Sequence, residues 1–361
     1  MRTEQGVRIA ARRLPDAARV AIAVRFDGGP ARETPPVHGV SAISARAAAL
    51  GCPEVAAAEL GESVLAMGAR VSPLLDTEGW GILVEGPSAR WASLAHLATR
   101  CAARSPGASA IEAARAATIA DARRRPLATE AAVALAPRAP GRVHPAGDVA
   151  SLGALDPADL SRWRRTQVVA ARARVGFAGA IPAGRAAEHL ARLTRDWPLG
   201  TAREALPWDA APEALTARGR PEGPMAVVMW SAPGDAAAAA RGFADAAARS
   251  LAAEPGIEVA WQAGGASDGR AWATVALRAE PDALDALPAH TARAVRTIAH
   301  GWDAIADAAA AEERERRAWE AAGPRSLAAS LSRPAPGGDA RATVRGLGGA
   351  TPAFLVARPA R

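Results

Sequence analysis

The amino-acid sequence predicts an α+β protein made of two related domains, in each of which an antiparallel-rich sheet packs against helices. The chain has 361 residues, and a single hydrophobic core rarely grows to that length, so two domains are expected. Short segments with alternating apolar residues, typical of strands, are interleaved with longer segments in which apolar residues recur at helical spacing. The same outline occurs in both halves without a countable sequence period, which indicates a weak internal duplication.

The first half begins with a strand at residues 19–26, where apolar residues alternate with smaller or charged ones before a glycine turn. Gly68 stands where a helix C-cap is expected. Asp156 and Pro157 have the residue types preferred at the N-cap and at the first helical position. The predicted helices of this half cover residues 42–50, 53–67, 91–103, 109–125, 157–165 and 184–193, and its other predicted strands cover residues 69–75, 79–85 and 171–178.

A stretch rich in Pro, Gly and Ala divides the chain. Residues 206–222 show no sustained periodicity and are predicted to be a linker over the surface. The first domain is therefore predicted at residues 1–205 and the second at residues 223–361. In the second domain, the predicted strands cover residues 225–230, 258–262, 270–278 and 354–357, and the predicted helices cover residues 235–253, 282–300 and 304–322.

Hydropathy and cysteine content indicate where the chain resides. No segment approaches the roughly 20 consecutive apolar residues that a membrane span needs, so no membrane partner is expected. Met1 to Leu14 is polar and rich in Arg, without the apolar core of a secretory signal, and a cytoplasmic location is expected. Cys52 and Cys101 are too few and too far apart for a zinc ribbon or a redox motif. Because cytosolic thiols are kept reduced, we expect two small core residues rather than a disulfide.

The basic charge excludes some classes of function more clearly than it supports any. The formal net charge is +7, which can attract acidic peptides or nucleic acid. The densest basic clusters, at residues 123–125 and 162–174, contain one aromatic residue, Trp163, and match no nucleic-acid module. Solvated helix faces explain them better, and no nucleic-acid partner is expected. The sequence contains no Lys, which excludes a phosphate-binding loop with its conserved lysine.

A series of landmarks resembles a known family. A glycine turn after the first strand is followed by paired helices, a glycine before a hairpin and a later His-Pro-x-Gly sequence. The residues are Gly28-Gly29, Arg32-Glu33, Gly39-Val40, Gly68-Ala69 and His144-Pro145-x-Gly147. In this order they resemble the pitrilysin/insulinase-type zinc peptidases, which include the mitochondrial processing peptidase and its bacterial relatives. The resemblance is clearest from Val20 to Arg195 and implies two related α+β domains that form a half-chamber.

In active members of that family, the catalytic helix carries His-x-x-Glu-His. Both histidines bind zinc, and the Glu is the general base for the metal-bound water. The spacing matters because residues four apart lie on one helix face. Here the resemblance places Ala42 and Arg46 at the histidine positions and Ala45 at the position of the base. It therefore implies that this chain has no catalytic residues, metal ligands or cofactor of its own, and that zinc belongs to a partner.

The third zinc ligand of the family is a Glu on a later helix, a short distance after an Arg. In this chain Asp121, which follows Arg115, corresponds to it. A lone Asp cannot hold zinc, which requires three or four protein ligands. We predict instead that Arg46 pairs with Asp121 across the former metal site.

Positions that bind substrate in active members also differ. The substrate-binding strand, usually Asn-Ala-x-Thr, corresponds to Ser72-Pro73-Leu74-Leu75. Pro73 removes a backbone donor from the edge that pairs with extended peptide. In the second domain, an Arg and a Tyr that contact substrate and the developing oxyanion correspond to Ala252 and Val259. The resemblance thus assigns substrate binding to Ser72, Leu74, Leu75, Ala252 and Val259.

These features imply a non-catalytic subunit that pairs with an active zinc-bearing homologue to enclose and position a peptide substrate, such as a precursor or leader peptide. One alternative is a stand-alone peptide-binding or assembly protein without a proteolytic role. Another is a peptidase with relocated chemistry that uses His38, Asp121 and a hydroxyl. No recognisable spacing brings a nucleophile and a base together, which disfavours the second alternative.

Overall fold

A computed structural model of the chain describes most of the sequence in residue ranges separated by gaps. The described residues are 1–33, 37–52, 57–76, 79–125, 146–202, 214–218, 225–233, 237–266, 270–279, 281–308, 310–311, 314, 323, 325, 328, 340–350 and 352–358.

The structure divides into two compact units, and each unit contains a segment from the opposite half of the sequence. The first unit comprises Met1–Arg124, Val143–Glu204 and Arg317–Ala335. The second unit comprises Arg125–Arg142, Ala205–Arg316 and Pro336–Arg361. The sequence does not predict this exchange of segments.

The first unit contains a five-stranded sheet in the order β1-β5-β2-β4-β3. β1 pairs with β5 in parallel, and all other neighbours are antiparallel. The strands are β1 (Arg8–Arg13), β2 (Arg19–Asp27), β3 (Arg70–Leu75), β4 (Gly79–Pro87) and β5 (Ala173–Gly179). The helices are α1 (Val40–Leu50), α2 (Ala57–Ala66), α3 (Trp91–Ala103), α4 (Ala108–Arg124), α5 (Val149–Ala154), α6 (Pro157–Gln167) and α7 (Ala183–Leu193).

The second unit repeats this topology with its own strands. Its sheet has the order β6-β10-β7-β9-β8, again with one parallel pair at one edge, β6 with β10. The strands are β6 (Ala214–Arg218), β7 (Met225–Pro233), β8 (Glu258–Ala266), β9 (Arg270–Arg278) and β10 (Ala353–Arg358). The helices with defined bounds are α8 (Ala237–Ala252), α9 (Pro281–Asp285), α10 (Leu287–Ala299) and α11 (Ala340–Gly349). The predicted α+β class and the internal duplication are therefore confirmed.

Alternation along β2 shows how the first sheet builds its core. Val20, Ile22, Val24 and Phe26 are fully buried and face the cluster that also holds α3 and α7. The Phe26 ring stacks on Trp80, with ring centroids 5.2 Å apart. Burying such a row of large apolar side chains provides most of the stabilisation of a sheet packed on helices.

Helix α6 confirms a prediction made from two residues. The Asp156 side chain accepts a hydrogen bond from the backbone N–H of Asp159, at 2.7 Å, and Pro157 is the first helical residue. The helix then directs Arg164 into the core, where its guanidinium donates to the carbonyls of Ala102 and Arg104 at the end of α3. Burial lowers the pKa of Arg164 to about 9, so this side chain remains a cation at neutral pH.

Two edge strands, β1 and β6, were not predicted. The position of β6 shows that the predicted linker is partly wrong. The predicted linker 206–222 contains β6, which is hydrogen-bonded in parallel to β10, so this stretch contributes a strand to the second sheet. β1 likewise lies in the Arg-rich segment 1–14, for which no strand was predicted. Neither strand shows a clear apolar alternation. An edge strand has a neighbouring strand on one side only and contributes few side chains to the core.

The cysteines correct a second expectation. Cys52 and Cys101 are buried in the first core, as expected of small apolar residues, but they form a disulfide with their Cα atoms 4.8 Å apart. Cys52 follows the end of α1, and Cys101 lies in α3. Because both helices pack on the same sheet, the two sulfur atoms come together. The sequence separation of 49 residues gave no indication of this proximity.

Candidate functional site

The candidate site lies at helix α1, whose start is fixed by a buried carboxylate. Glu33 is 2% exposed, and its oxygens accept hydrogen bonds from the backbone N–H groups of Gly39, at 2.6 Å, and Ser41, at 2.8 Å. These donors lack partners within the helix, and a carboxylate also complements the positive end of the helix dipole. Glu33 therefore fixes where α1 begins and how its side chains face α4.

Burial dominates the ionisation of Glu33. Removal of the carboxylate from water raises its pKa to about 7, although the hydrogen bonds from Ser41 and Gly39 favour the charged form. Both forms of Glu33 are therefore populated near neutral pH. The stability of the start of α1 therefore depends on the ionisation of Glu33.

Gly39 allows α1 to start close to a neighbouring segment. Its φ is +88°, a left-handed conformation that non-glycine residues rarely adopt. A Cβ atom at this position would lie 2.4 Å from Leu152 Cδ2 and 3.0 Å from the carbonyl oxygen of Ala146. Gly147 packs on the same point, with its own φ of +75°, whereas His144 and Pro145 lie outside the described residues. The family landmarks Gly39 and Gly147 thus form one close backbone contact.

The positions corresponding to the family's metal ligands carry an ion pair. Arg46 Nη2 donates to Asp121 Oδ2 at 2.6 Å, which links α1 to α4. The Arg46 side chain is 30% exposed and that of Asp121 is 56% exposed. This contact confirms the prediction that Arg46 pairs with Asp121.

The residues at this position do not fit a zinc ion. Ala42 and Ala45 are buried and present only methyl groups, and the Arg46 guanidinium repels a cation. Across the described ranges, no group of three or more His, Cys, Asp or Glu residues is arranged to hold a metal. We therefore derive no metal-dependent step for this chain.

His38, the histidine nearest to the site, is buried just before α1. Its Nε2 has no hydrogen-bond partner among the residues described. Asp121, which the relocated-chemistry alternative would combine with His38, pairs with Arg46 instead. The structure thus gives no support to a catalytic set built on these two residues.

The predicted peptide-binding residues of the first domain lie on an edge strand. Among the described strands, β3 pairs with β4 alone, which makes it an edge strand of the kind to which an extended chain can add. Ser72 is buried, Leu74 is partly buried and Leu75 is 37% exposed. Pro73 has no N–H to donate, which is tolerated in an edge strand. The location fits the prediction, whereas binding by these residues remains a prediction.

The two predicted residues of the second domain lie at neighbouring elements. Ala252 is the exposed last residue of α8, and Val259 lies partly buried in β8. β8 is an edge strand of the second sheet and holds the same place in the strand order as β3 in the first. Their role in substrate binding also remains a prediction.

A feature that the sequence analysis missed is the face of the first sheet opposite its core. Its floor consists of Ala21, Ala23, Ala178 and Leu83, which form a separate buried cluster; we call it the alanine face. The signal in the sequence is the alternation in β2, where every second residue is small or charged. Such a face is smooth and permits a close approach of another segment.

A charged network borders one end of the alanine face. Asp27 accepts hydrogen bonds from Arg8, Arg25 and Arg174, at 2.5, 2.6 and 3.0 Å. Arg25, which is only 3% exposed, also forms two hydrogen bonds with Asp76. Within this network, three guanidinium groups share two carboxylates, so the named groups carry an excess of one positive charge. The sheet register explains the cluster, because Arg8 and Arg25 are both Cα partners of Arg174 on β5.

Comparison with solved structures identifies the fold. The M16 peptidase inactive domain from Pseudomonas fluorescens superposes on this chain with a TM-score of 0.78 at 12% sequence identity. The match covers 100% of this chain and 97% of that domain. A protease from Helicobacter pylori gives 0.76 at 11% identity, covering 99% of this chain and 98% of its own. The chain has the fold of the M16 peptidases. This confirms the fold implied by the resemblance to pitrilysin-type peptidases.

A chain of complex III2 from Candida albicans also superposes, with a TM-score of 0.67 at 13% identity; the match covers 99% of this chain and 95% of that one. No protein-family model and no curated protein matches the sequence. In the part of the chain that the structure describes, none of the helices has the length and apolar character needed to cross a membrane.

Proposed function

We propose that this chain is a non-catalytic M16-type subunit that pairs with a zinc-bearing homologue and helps to bind and position its peptide substrate. The observation that carries the proposal is the ion pair between Arg46 and Asp121, 2.6 Å apart, on an M16 fold. The helices that would present a metal site are retained, while their facing positions hold a cation and methyl groups. Loss of the ligands with retention of the fold is the pattern expected when a partner carries the chemistry.

The proposed substrate is a peptide in extended conformation. An edge strand such as β3 offers backbone groups to a peptide strand, and side chains such as Leu74 and Leu75 contact alternate residues of it. The positive end of the alanine face would favour an acidic segment of that peptide. The proposed cytoplasmic location rests on the sequence alone, and the disulfide between Cys52 and Cys101 is unusual for that compartment.

The direct test is reconstitution with a homologue. A neighbouring gene that encodes an intact His-x-x-Glu-His protein would be co-expressed with this chain, and peptide cleavage would be measured with and without it. We expect a stable complex whose cleavage rate exceeds that of the homologue alone. A clean monomer that captures no homologue and leaves its cleavage rate unchanged would favour the alternative of an assembly protein.

A second test restores the metal site. The variant Ala42→His, Ala45→Glu, Arg46→His, Asp121→Glu replaces each degenerate position with the family's residue. If α1 and α4 retain the geometry of a metal site, this variant should bind one equivalent of Zn²⁺ by metal analysis after dialysis. The matched control keeps Arg46 and should bind none. Stoichiometric zinc in the unmodified chain would overturn the proposal.

A further inference from the structure

Four arginines lie in one row across the first sheet, at the charged end of the alanine face. Arg8 on β1 is the Cα partner of Arg174 on β5, and Arg174 is the Cα partner of Arg25 on β2. Arg2 extends the row, because it forms an isolated bridge with Arg8. Residues paired across a sheet point to the same face, with neighbouring strands about 4.8 Å apart. The four guanidinium groups therefore lie side by side on one face.

The two carboxylates of the charged network do not neutralise this row. Asp27 accepts hydrogen bonds from three of the four arginines, and Asp76 accepts two from Arg25. Four guanidinium groups and two carboxylates give these named groups an excess of two positive charges. Like charges on neighbouring strands repel each other, so a further anion bound at the row would relieve a repulsion.

Arg8 and Arg174 keep donors that Asp27 does not use. Arg174 bonds to Asp27 through Nε, and its Nη1 and Nη2 donate to no acceptor among the described residues. Arg8 bonds through Nη2, and its Nε is buried without a partner. The side chains of Arg8 and Arg174 are 38% and 21% exposed, so a dissolved ligand can reach them.

The ionisation of Arg8 reflects the same excess of charge. Its pKa is lowered, first by burial and then by the positive charges of Arg174 and Arg2, and these effects outweigh the opposite effect of Asp27. The carboxylate that Arg8 already contacts therefore leaves part of the repulsion uncompensated.

Asp27 shows that the row can converge on one small anion. Guanidinium groups from three adjacent strands contact this single carboxylate at 2.5, 2.6 and 3.0 Å. A phosphate group offers three acceptor oxygens and carries a charge of about −1.5 to −2 at neutral pH. It matches the excess of two charges, whereas a carboxylate brings a single charge on two oxygens.

We propose that the outer part of this row, formed by Arg2, Arg8 and Arg174, binds a phosphate group, which is either free or carried by a small molecule or a peptide. Arg174 supplies two donors of one planar guanidinium, an arrangement that suits a pair of phosphate oxygens. Arg8 and Arg2 add positive charge from the neighbouring segments. The proposal goes beyond the function proposed above, because the site lies within the first unit and needs no partner.

The test measures binding of inorganic phosphate to the full chain by titration calorimetry, near neutral pH and at constant ionic strength. Acetate serves as the carboxylate probe, and we expect phosphate to bind about tenfold more tightly than acetate. Arg174→Gln should weaken phosphate binding about tenfold, because it removes a pair of charge-assisted donors. Arg2→Gln should weaken it about threefold, since it removes one charge at the edge of the site.

Arg12→Gln provides the matched control. Arg12 is an exposed arginine of the same strand as Arg8 but lies outside the row, opposite Ala178, and its removal should leave phosphate binding unchanged. Equal weakening by R2Q and R12Q, or equal affinity for phosphate and acetate, would overturn the proposal, because net charge alone would then explain binding. Undetectable phosphate binding would also overturn it.

Two further measurements complete the experiment. Hydrogen exchange of β2 checks that the sheet is intact in R174Q. Arg2→Gln keeps the test valid if it is not, since the exposed Arg2 side chain donates no hydrogen bond to the described residues. A phosphoserine peptide that binds more tightly than inorganic phosphate would support the site with a phosphorylated peptide as its ligand. Weaker binding of that peptide would support it with a free or small-molecule phosphate.

Discussion

The first and second sheets place their strands in the same order, but their central strands carry different chemistry. β2 contains Arg19, Arg25 and Asp27, whereas β7, in the corresponding position, contains no charged residue. Both strands bury a row of apolar residues against helices. In β7 this row includes Trp230, whose ring centroid lies 5.4 Å from that of Phe243 on α8. The comparison shows that the topology requires one apolar face per strand and leaves the other face free to vary.

The first unit also holds two local features that the described part of the second unit does not repeat. These are a disulfide and a buried carboxylate at a helix start. Each can be removed in the first unit alone, while the second unit serves as an internal reference. Hydrogen exchange, read separately from β2 and β7, distinguishes an effect on one unit from an effect on both.

The disulfide between Cys52 and Cys101 should give the largest effect. It closes a loop of 49 residues, for which the chain-entropy relation predicts a stabilisation of about 4 kcal/mol. Reduction should lower the free energy of unfolding of the first unit by about that amount and leave exchange in β7 unchanged. The paired variant Cys52→Ala, Cys101→Ala should be insensitive to reductant. Equal loss of protection in both units would show that they unfold together.

Glu33 should make the stability of the first unit depend on pH. Its pKa is raised to about 7 in the folded state from 4.5, so the folded state binds the proton more tightly than the unfolded state. The stabilisation is complete below about pH 4.5 and is lost as the pH rises to about 7, a total of about 3 kcal/mol. The measurement is denaturant unfolding from pH 4.5 to 8, with Glu33→Gln as the reference that lacks this titration. A constant difference between the two proteins at every pH would contradict the prediction.

Removal of Asp27 tests the charged network on the alanine face. Asp27→Asn preserves the shape but leaves Arg8, Arg25 and Arg174 without their shared anion. Because Arg25 is buried and the other two guanidinium groups are partly exposed, we expect a loss of about 2 kcal/mol, less than for a fully buried pair. High salt should reduce this loss by screening the exposed arginines. A variant as stable as the wild type would show that the network contributes nothing to the fold.

The smallest effect should come from the ion pair between Arg46 and Asp121. The Arg46 side chain is partly buried and that of Asp121 is exposed, so a double-mutant cycle with Arg46→Ala and Asp121→Ala should give a coupling energy of about 0.2 to 1 kcal/mol. This range would mean that the pair replaces the metal site without stabilising the protein strongly. A coupling energy of several kcal/mol would indicate a pair that holds α1 and α4 together. The matched pair Arg249 and Asp245 on α8 of the second unit provides the reference for a simple surface contact.

Most helices and central strands were predictable because their apolar residues recur at the spacing of the element. The cap formed by Asp156 and Pro157 was correct to the residue, since side-chain hydrogen bonding at a helix start is local. The edge strands β1 and β6 were missed because their partners, β5 and β10, lie far away in the sequence. At the site, Ala42, Ala45, Arg46 and Asp121 were found only through the resemblance, since two alanines and an ion pair between separate helices carry no spacing signal of their own.

The sequence by itself determined the α+β class and the duplicated outline, because these follow from residue types at regular, local intervals. Only the tertiary structure decided that Cys52 bonds to Cys101, that three arginines meet at Asp27 and that Ala328 covers the alanine face. Each of these contacts joins residues far apart in the chain, and their proximity depends on how sheets and helices pack. Local pattern carries no information about such distances.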